Sequence, residues 1–180
     1  MADIKLGLSK SAIESAKETY DGPRTPFPAN TLGYTKYSAV ATDIQIKQGT
    51  GASEGKAWLW VQVTNGIHQE SLLINLDPSD VAPSTKPENM EKAVQRNLNT
   101  LLTAVKVLGI ANNVGDGIDT TKFEAAKGTL VSFGVKRGDM QQSGYYKYYT
   151  SFYGRAESIT PIDAPIGGAD APKADDDIPF

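Results

Sequence analysis

The chain has 180 residues, of which 39% are hydrophobic, enough for one domain with a core plus terminal segments. It contains no cysteine, which excludes disulfide frameworks and thiolate chemistry. The net charge of −3 is concentrated beyond residue 160, where five aspartates and one lysine give −4, so the near-neutral remainder is compatible with nucleic-acid binding.

Composition divides the chain into three parts. Residues 1–30 are predicted to form an N-terminal extension in which residues 23–28 are an extended lead-in, and residues 31–160 to form the folded domain. Residues 161–180 are rich in Pro, Ala, Gly and Asp and are predicted to be a disordered acidic tail. The sequence shows neither a membrane-length apolar stretch nor a signal peptide, which predicts a cytoplasmic protein without membrane contact.

The domain begins with a predicted strand at residues 34–48, which are rich in strand-forming side chains. Its buried face is predicted to carry Val40, Ile44 and Ile46. The glycine-containing segment 49–55 is predicted to be a hairpin loop to the second strand.

The second strand, residues 56–64, alternates strictly between aliphatic and polar or aromatic side chains. The predicted inward row is Ala57, Leu59, Val61 and Val63. Asn65 and Gly66 form a dipeptide typical of a type I′ hairpin turn, and residues 69–76 are predicted to return as the third strand.

A long helix is predicted at residues 87–108, because apolar residues recur there at spacings of three and four. The apolar stripe consists of Met90, Val94, Leu98, Leu101, Val105 and Leu108. Pro87 suits its first turn and Gly109 the position after its last. A short helix at residues 121–126, capped by Asp119, is predicted to follow.

Two further strands, residues 129–136 and 145–156, complete the predicted domain. Three strands, a helix and two strands is the order of an OB-fold. The fold class predicted is therefore mainly β with α: a five-stranded Greek-key barrel with a helix between strands 3 and 4.

The last six residues are predicted to be a short exposed ligand for a partner protein. They are Asp175, Asp176, Asp177, Ile178, Pro179 and Phe180. The ring of Phe180 would fill an apolar pocket while its carboxylate and the aspartates meet a basic rim. The alternative is an acidic tail that only aids solubility.

This ending resembles the C-terminal tip of the bacterial single-stranded DNA-binding proteins. The resemblance implies that the tip recruits replication, recombination and repair enzymes and does not itself hold DNA. The order of elements over roughly residues 30–156 resembles phage-type single-stranded DNA-binding proteins. Together these resemblances imply a bacteriophage protein acting in the cytoplasm of a bacterial host, with a homo-oligomer as one possible assembly.

The polar face of the second strand carries Trp58 and Trp60 beside Lys56. Two rings about 7 Å apart on one strand form a platform on which bases can stack. The alternative is that one of these rings covers a helix or a partner subunit.

The last strand is the second candidate DNA-binding element, because it mixes cations with tyrosine rings. On one parity lie Tyr145, Lys147, Tyr149, Tyr153 and Arg155, and on the other Tyr146, Tyr148 and Phe152. The first set is predicted to face DNA, although aromatic residues also favour strands for packing alone. Two more pairs are predicted to extend the surface. Lys136 and Arg137 lie at the end of the fourth strand, where the loop to the last strand begins, and Tyr34 and Lys36 lie at the start of the first strand.

Catalytic signals are weak throughout the chain. His68 is the single histidine and lies next to a hairpin turn, where it is predicted to be solvated. No metal site, cofactor or enzymatic activity is predicted. The sequence leaves two alternatives to DNA binding: an OB-fold module for protein or oligosaccharide, and a replication accessory factor that barely contacts DNA.

Overall fold

The computed structural model describes residues 26–111, 117–144 and 146–159. This part of the chain forms an open, antiparallel, five-stranded sheet in the order β3-β2-β1-β4-β5. Its elements are β1 (Thr35–Gln48), β2 (Ala57–Thr64), β3 (Gln69–Asn75), α1 (Met90–Leu108), α2 (Phe123–Ala126), β4 (Leu130–Met140) and β5 (Tyr146–Arg155). The prediction of a mainly β domain with a helix between strands 3 and 4 is confirmed.

The central strand, β1, belongs to both halves of the sheet. Residues 35–40 pair with β4 and residues 40–48 with β2. A bulge between Ala41 and Asp43 changes which residues face the core: odd-numbered residues do so before it and even-numbered residues after it. The core-facing side chains are Tyr37, Ala39 and Ala41 before the bulge and Ile44 after it. The prediction that placed Val40 with Ile44 is therefore wrong: Val40 is buried, but outside this core cluster.

The connection from β2 to β3 has the predicted bounds, but it is not the type I′ turn that the sequence predicted. Strand β2 ends at Thr64 and β3 begins at Gln69, so four residues connect them. Gly66 has a φ of 98°, but Asn65 does not have the positive φ that a type I′ turn requires at both central positions. The Oδ1 atom of Asn65 instead accepts hydrogen bonds from the backbone N–H groups of Ile67 and His68.

Helix α1 packs mainly through its C-terminal half. Val105 and Leu108 are buried in the core, whereas Met90, at the other end of the predicted stripe, is exposed. The helix ends as predicted at Gly109, which has a left-handed φ of 67°. Asp119 also caps as predicted, because its Oδ1 accepts from the N–H of Thr121 at 3.0 Å. Within the described ranges, no helix is long and apolar enough to cross a membrane.

The core extends to a residue that the sequence assigned to the N-terminal extension. Phe27 is only 1% exposed, and its ring centroid lies 5.0 Å from that of Tyr37 and 5.2 Å from that of Phe133. The hydroxyl of Tyr37 donates to the carbonyl of Pro28 at 2.6 Å. His68, predicted to be solvated, is half-buried with its ring 5.6 Å from that of Phe27. The folded body therefore includes the end of the lead-in segment.

The two edge strands of the sheet approach each other, and we call the gap between β3 and β5 the seam. The hydroxyl of Thr150 on β5 donates to the carbonyl of Ser71 on β3 at 3.4 Å. In the part of the chain that the structure describes, no backbone ladder joins these strands. A cleft lies on each side of the Thr150–Ser71 contact. One, of about 360 Å³, is beside α1, and the other, of about 350 Å³, is at the opposite end of the seam.

Candidate nucleic-acid interface

The register of β5 against β4 decides which side chains of β5 face outward. Phe152 pairs with Phe133 and is buried, whereas Tyr149 pairs with Lys136 on the opposite, outer face. A register shift follows Phe152, so that Gly154 takes the position opposite β4 and Tyr153 is an extra residue in the strand.

The outer face of β1, β4 and β5 brings together aromatic rings and cations. We call this surface the tyrosine face; its residues are Tyr34, Lys36, Lys136, Lys147, Tyr149 and Tyr153. Lys36 Nζ lies 5.6 Å from the ring centroid of Tyr153, and Lys147 Nζ lies 4.9 Å from that of Tyr149. Both distances are within the range of cation–π attraction. Tyr149 remains 42% exposed, so its ring is accessible to a ligand.

Two glycines of β4 allow these tyrosine rings to lie directly on the sheet. A Cβ atom at Gly134 would lie 2.8 Å from Cζ of Tyr153, and one at Gly138 would lie 2.6 Å from Cε2 of Tyr149. Any side chain at either position would displace the ring above it. The sequence analysis missed both glycines, although glycine inside a strand is a known sign of close approach.

Two phenols of this surface, those of Tyr34 and Tyr153, have a raised pKa. Burial, with a smaller contribution from Tyr34, raises the pKa of Tyr153 to about 12. Burial and the nearby phenol of Tyr149 likewise raise the pKa of Tyr34. The hydroxyl of Tyr153 is buried without a hydrogen-bond partner among the described residues. Near neutral pH Tyr34 and Tyr153 therefore present uncharged rings beside the lysines of this face.

The two tryptophans of β2 lie on a separate surface, which we call the tryptophan face (Lys47, Trp58 and Trp60). Trp60 is only 6% exposed, and Lys47 Nζ lies 3.8 Å from its ring centroid. Trp58 is half-buried. The sequence predicted that both rings are exposed for base stacking, but Trp60 is buried beneath the side chain of Lys47. Lys47 was not singled out, since only the pairing of β1 with β2 brings it to this ring.

The predicted DNA-binding residues do not form one continuous patch. The tyrosine face uses the first half of β1 and the tryptophan face the second, and Lys36 lies about 35 Å from Lys47 along an extended strand. Lys56, predicted to join the tryptophans, forms an ion pair with Asp80 at 2.8 Å. Arg155 is exposed at the far end of β5, opposite Val131.

The positions of Arg137 and Tyr146 differ from those predicted from the sequence. Strand β4 continues to Met140, beyond its predicted end at Lys136, so Arg137 lies within the strand and not in the loop. Arg137 has the parity of the core residues of β4 and stacks on Tyr146, with the guanidinium carbon 4.5 Å from the ring centroid. Tyr146 is 41% exposed at the seam, although the sequence assigned it to the inward parity.

Other predictions concern residues outside the described ranges. They fall on residues 1–25 of the predicted N-terminal extension, on Tyr145, and on the predicted tail, residues 161–180, with its tip Asp175 to Phe180. No protein-family model matches the chain, and no curated protein matches it. Within the described residues, no group of three or more His, Asp or Glu side chains is placed to hold a metal ion.

Proposed function

We propose that this protein binds single-stranded DNA without catalysing a reaction, and that the tyrosine face is its principal binding surface. The observation that carries the proposal is the pairing of exposed or half-buried tyrosine rings with lysines that lie 4.9–5.6 Å from them. A base stacks on a ring while its phosphate pairs with a neighbouring cation.

The chemistry of this face favours single strands over duplex. In a duplex the bases are stacked on each other, whereas an unpaired strand offers their π-faces to Tyr149 and Tyr153. The tyrosine face recognises rings and phosphates, which every nucleotide carries, so its sequence preference is small. Protection of single strands during replication, recombination or repair is the role that fits such binding.

The proposal includes an OB-fold Greek-key barrel as the architecture. Support comes from the strand order, the helix between β3 and β4, and the Thr150–Ser71 contact between the edge strands. The residues that line the two clefts indicate that β3 and β5 run side by side in the same direction. A contact between the edge strands, and a common direction of the two, are expected of a five-stranded barrel that closes where its edge strands meet.

The C-terminal tip is proposed to recruit replication and repair enzymes of a bacterial host, in the host cytoplasm. Its acidic run and the ring of Phe180 support this role through the chemistry described from the sequence. Deletion of residues 175–180 should abolish binding to such enzymes and leave affinity for DNA equal or slightly higher at low salt. Undiminished capture of a host enzyme by the truncated protein would contradict this part of the proposal.

The DNA-binding proposal is tested by titrating fluorescently labelled oligo(dT) with the full chain at two salt concentrations. Tyr149→Ala should weaken binding by on the order of 1–3 kcal/mol for the base that loses its ring. Met140→Ala is the matched control, since Met140 is an exposed apolar residue at the end of β4, outside the tyrosine face. Salt-insensitive or absent binding would favour a protein- or oligosaccharide-binding module instead.

A further inference from the structure

The rings of Tyr149 and Tyr153 both lie over β4, although both residues belong to β5. A Cβ atom at Gly138 would lie 2.6 Å from Cε2 of Tyr149, and one at Gly134 would lie 2.8 Å from Cζ of Tyr153. The two glycines are four residues apart on one strand, which separates them by about 13 Å. The line that joins the two ring positions therefore runs along β4.

Lysines accompany this line at both ends and at its middle. Lys147 Nζ lies 4.9 Å from the ring centroid of Tyr149, and Lys36 Nζ lies 5.6 Å from that of Tyr153. The third cation, Lys136, belongs to β4 itself, midway between the two glycines and on their outward face. A phosphate backbone that follows β4 meets a cation at three successive places.

The tyrosine face is narrow in the direction across the sheet. On one side it ends at β5, which is an edge strand. On the other side it ends at the first half of β1, because the pairing of β1 with β2 begins at Val40. The three strands of the face span about 10 Å from the first to the third. A DNA strand that contacts both rings and all three lysines therefore runs along β4 and not across it.

The distance between the rings also determines how far the DNA strand is extended. Bases on these two rings lie side by side along β4, whereas neighbouring bases in a stacked strand lie face to face, about 3.4 Å apart. Two steps of roughly 6.5 Å cover the separation of about 13 Å. Each of these steps is close to the length of a fully extended nucleotide. The geometry therefore suits an unstacked strand with one nucleotide between the two that occupy the rings.

We propose that the tyrosine face binds three successive nucleotides of an extended single strand along β4. The outer two bases stack on Tyr149 and Tyr153, and the middle nucleotide faces Lys136. This inference rests on the proposed function and specifies how its ligand lies on the protein. Because neither of the two rings holds the middle base, an abasic nucleotide is tolerated at that position.

The test compares two oligonucleotides of equal length that carry the same number of thymines and phosphates. In one, single thymidines alternate with single abasic nucleotides, and in the other, pairs of thymidines alternate with pairs of abasic nucleotides. Bases two nucleotides apart occur only in the first, so it alone can occupy both rings. The full chain should bind the first oligonucleotide more tightly by on the order of tenfold, the effect of one base stack.

Tyr149→Ala and Tyr153→Ala should each bring the affinity ratio of the two oligonucleotides close to one, because a single ring is then left. The matched control is Tyr146→Ala. Tyr146 lies on the same strand and is as exposed as Tyr149, at 41% against 42%, but it lines the cleft at the seam. Its loss should leave the ratio unchanged, and thermal unfolding checks that each variant is folded.

Equal binding of the two oligonucleotides by the wild-type chain would mean that bases two nucleotides apart do not occupy the two rings together. Tighter binding of the paired oligonucleotide would place the rings on adjacent nucleotides. Either result, or a ratio that survives both tyrosine substitutions, would overturn the extended track while leaving the proposed function intact. Failure of the wild-type chain to bind unmodified oligo(dT) would instead refute the proposed function itself.

Discussion

The phenol ring of Tyr153 lies across the backbone of β4 at Gly134, so closely that a Cβ atom at residue 134 would fall 2.8 Å from its Cζ atom. The ring is thereby held flat on the sheet, with Lys36 Nζ 5.6 Å from its centroid. The absence of a side chain at Gly134 thus determines where Tyr153 can meet a ligand.

Gly134→Ala should displace the Tyr153 ring and weaken oligo(dT) binding by about 1 kcal/mol, the lower end of the range for one lost base stack. The same substitution in a Tyr153→Ala background should have little further effect, because the clash is then gone. Binding titrations of the four proteins give the coupling energy between the two positions. Additive effects would show that Gly134 acts independently of the ring.

Stability should fall in alkaline solution because of Tyr153. Its pKa rises from 10.0 in the unfolded chain to about 12 in the folded one, so the folded state resists losing this proton. The stabilisation by the neutral phenol is complete below pH 10.0 and is lost as the pH rises toward about 12.

Tyr153→Phe should reduce this alkaline loss, and near neutral pH it should leave stability unchanged or higher, since it removes a buried hydroxyl without a partner. Denaturant unfolding of both proteins at neutral and alkaline pH measures the effect. Identical pH profiles would exclude Tyr153 as the responsible group.

Cations of the tyrosine face should contribute to the salt dependence of binding. Lys136→Ala and Lys147→Ala should each flatten the slope of log affinity against log salt by ~0.7, the value for one phosphate contact on a single strand. Lys56→Ala is the control, because the Lys56 ammonium already pairs with Asp80 away from this face. If Lys56→Ala alters the slope and Lys136→Ala and Lys147→Ala do not, DNA binds at the tryptophan face and not at the tyrosine face.

The two tryptophans should respond differently to DNA. Trp60 is buried under Lys47, so its emission should report unfolding and change little on binding. Trp58 is half-buried and is the ring whose emission DNA can alter. Titration of Trp58→Phe and Trp60→Phe with oligo(dT) separates the signals. Strong quenching in Trp58→Phe would mean that DNA uncovers Trp60.

Phe27→Ala should destabilise the domain by about 3–5 kcal/mol, since the ring is fully buried against Tyr37 and Phe133. The control is Leu32→Ala, because Leu32 is 83% exposed and its loss should change stability by no more than about 0.5 kcal/mol. Denaturant titration gives both values. A small effect of Phe27→Ala would show that the core closes without the lead-in.

Much of the fold was predictable because its signals are local. The alternation around Leu59 gave β2, the three-and-four spacing gave α1, and Gly109 and Asp119 marked helix boundaries that the structure confirms. Val40 was misplaced because a bulge adds one residue to a strand without any local sequence signal that fixes its position.

The candidate site was less predictable, because its geometry depends on pairings between distant segments. Alternation correctly placed Tyr149 and Phe152 on opposite faces of β5. It could not show that the tyrosine rings lie over glycines of the neighbouring strand, β4. Nor could it show that Lys47 covers Trp60, since that contact depends on the register of β1 against β2. Phe27 was assigned to the extension because prolines surround it, and its burial depends on the tertiary packing of aromatic rings.

The double pairing of β1 also has a kinetic consequence. Its second half meets β2 across a short loop, whereas its first half meets β4, with Thr35 opposite Val135. Joining β4 to β1 requires closure of a loop of about 100 residues, which is entropically far more demanding than closing a hairpin. We therefore expect the meander of β1, β2 and β3 to assemble early, and refolding to be limited by the arrival of β4. The tyrosine face, which needs β4 and β5, would then be the last surface of the domain to mature.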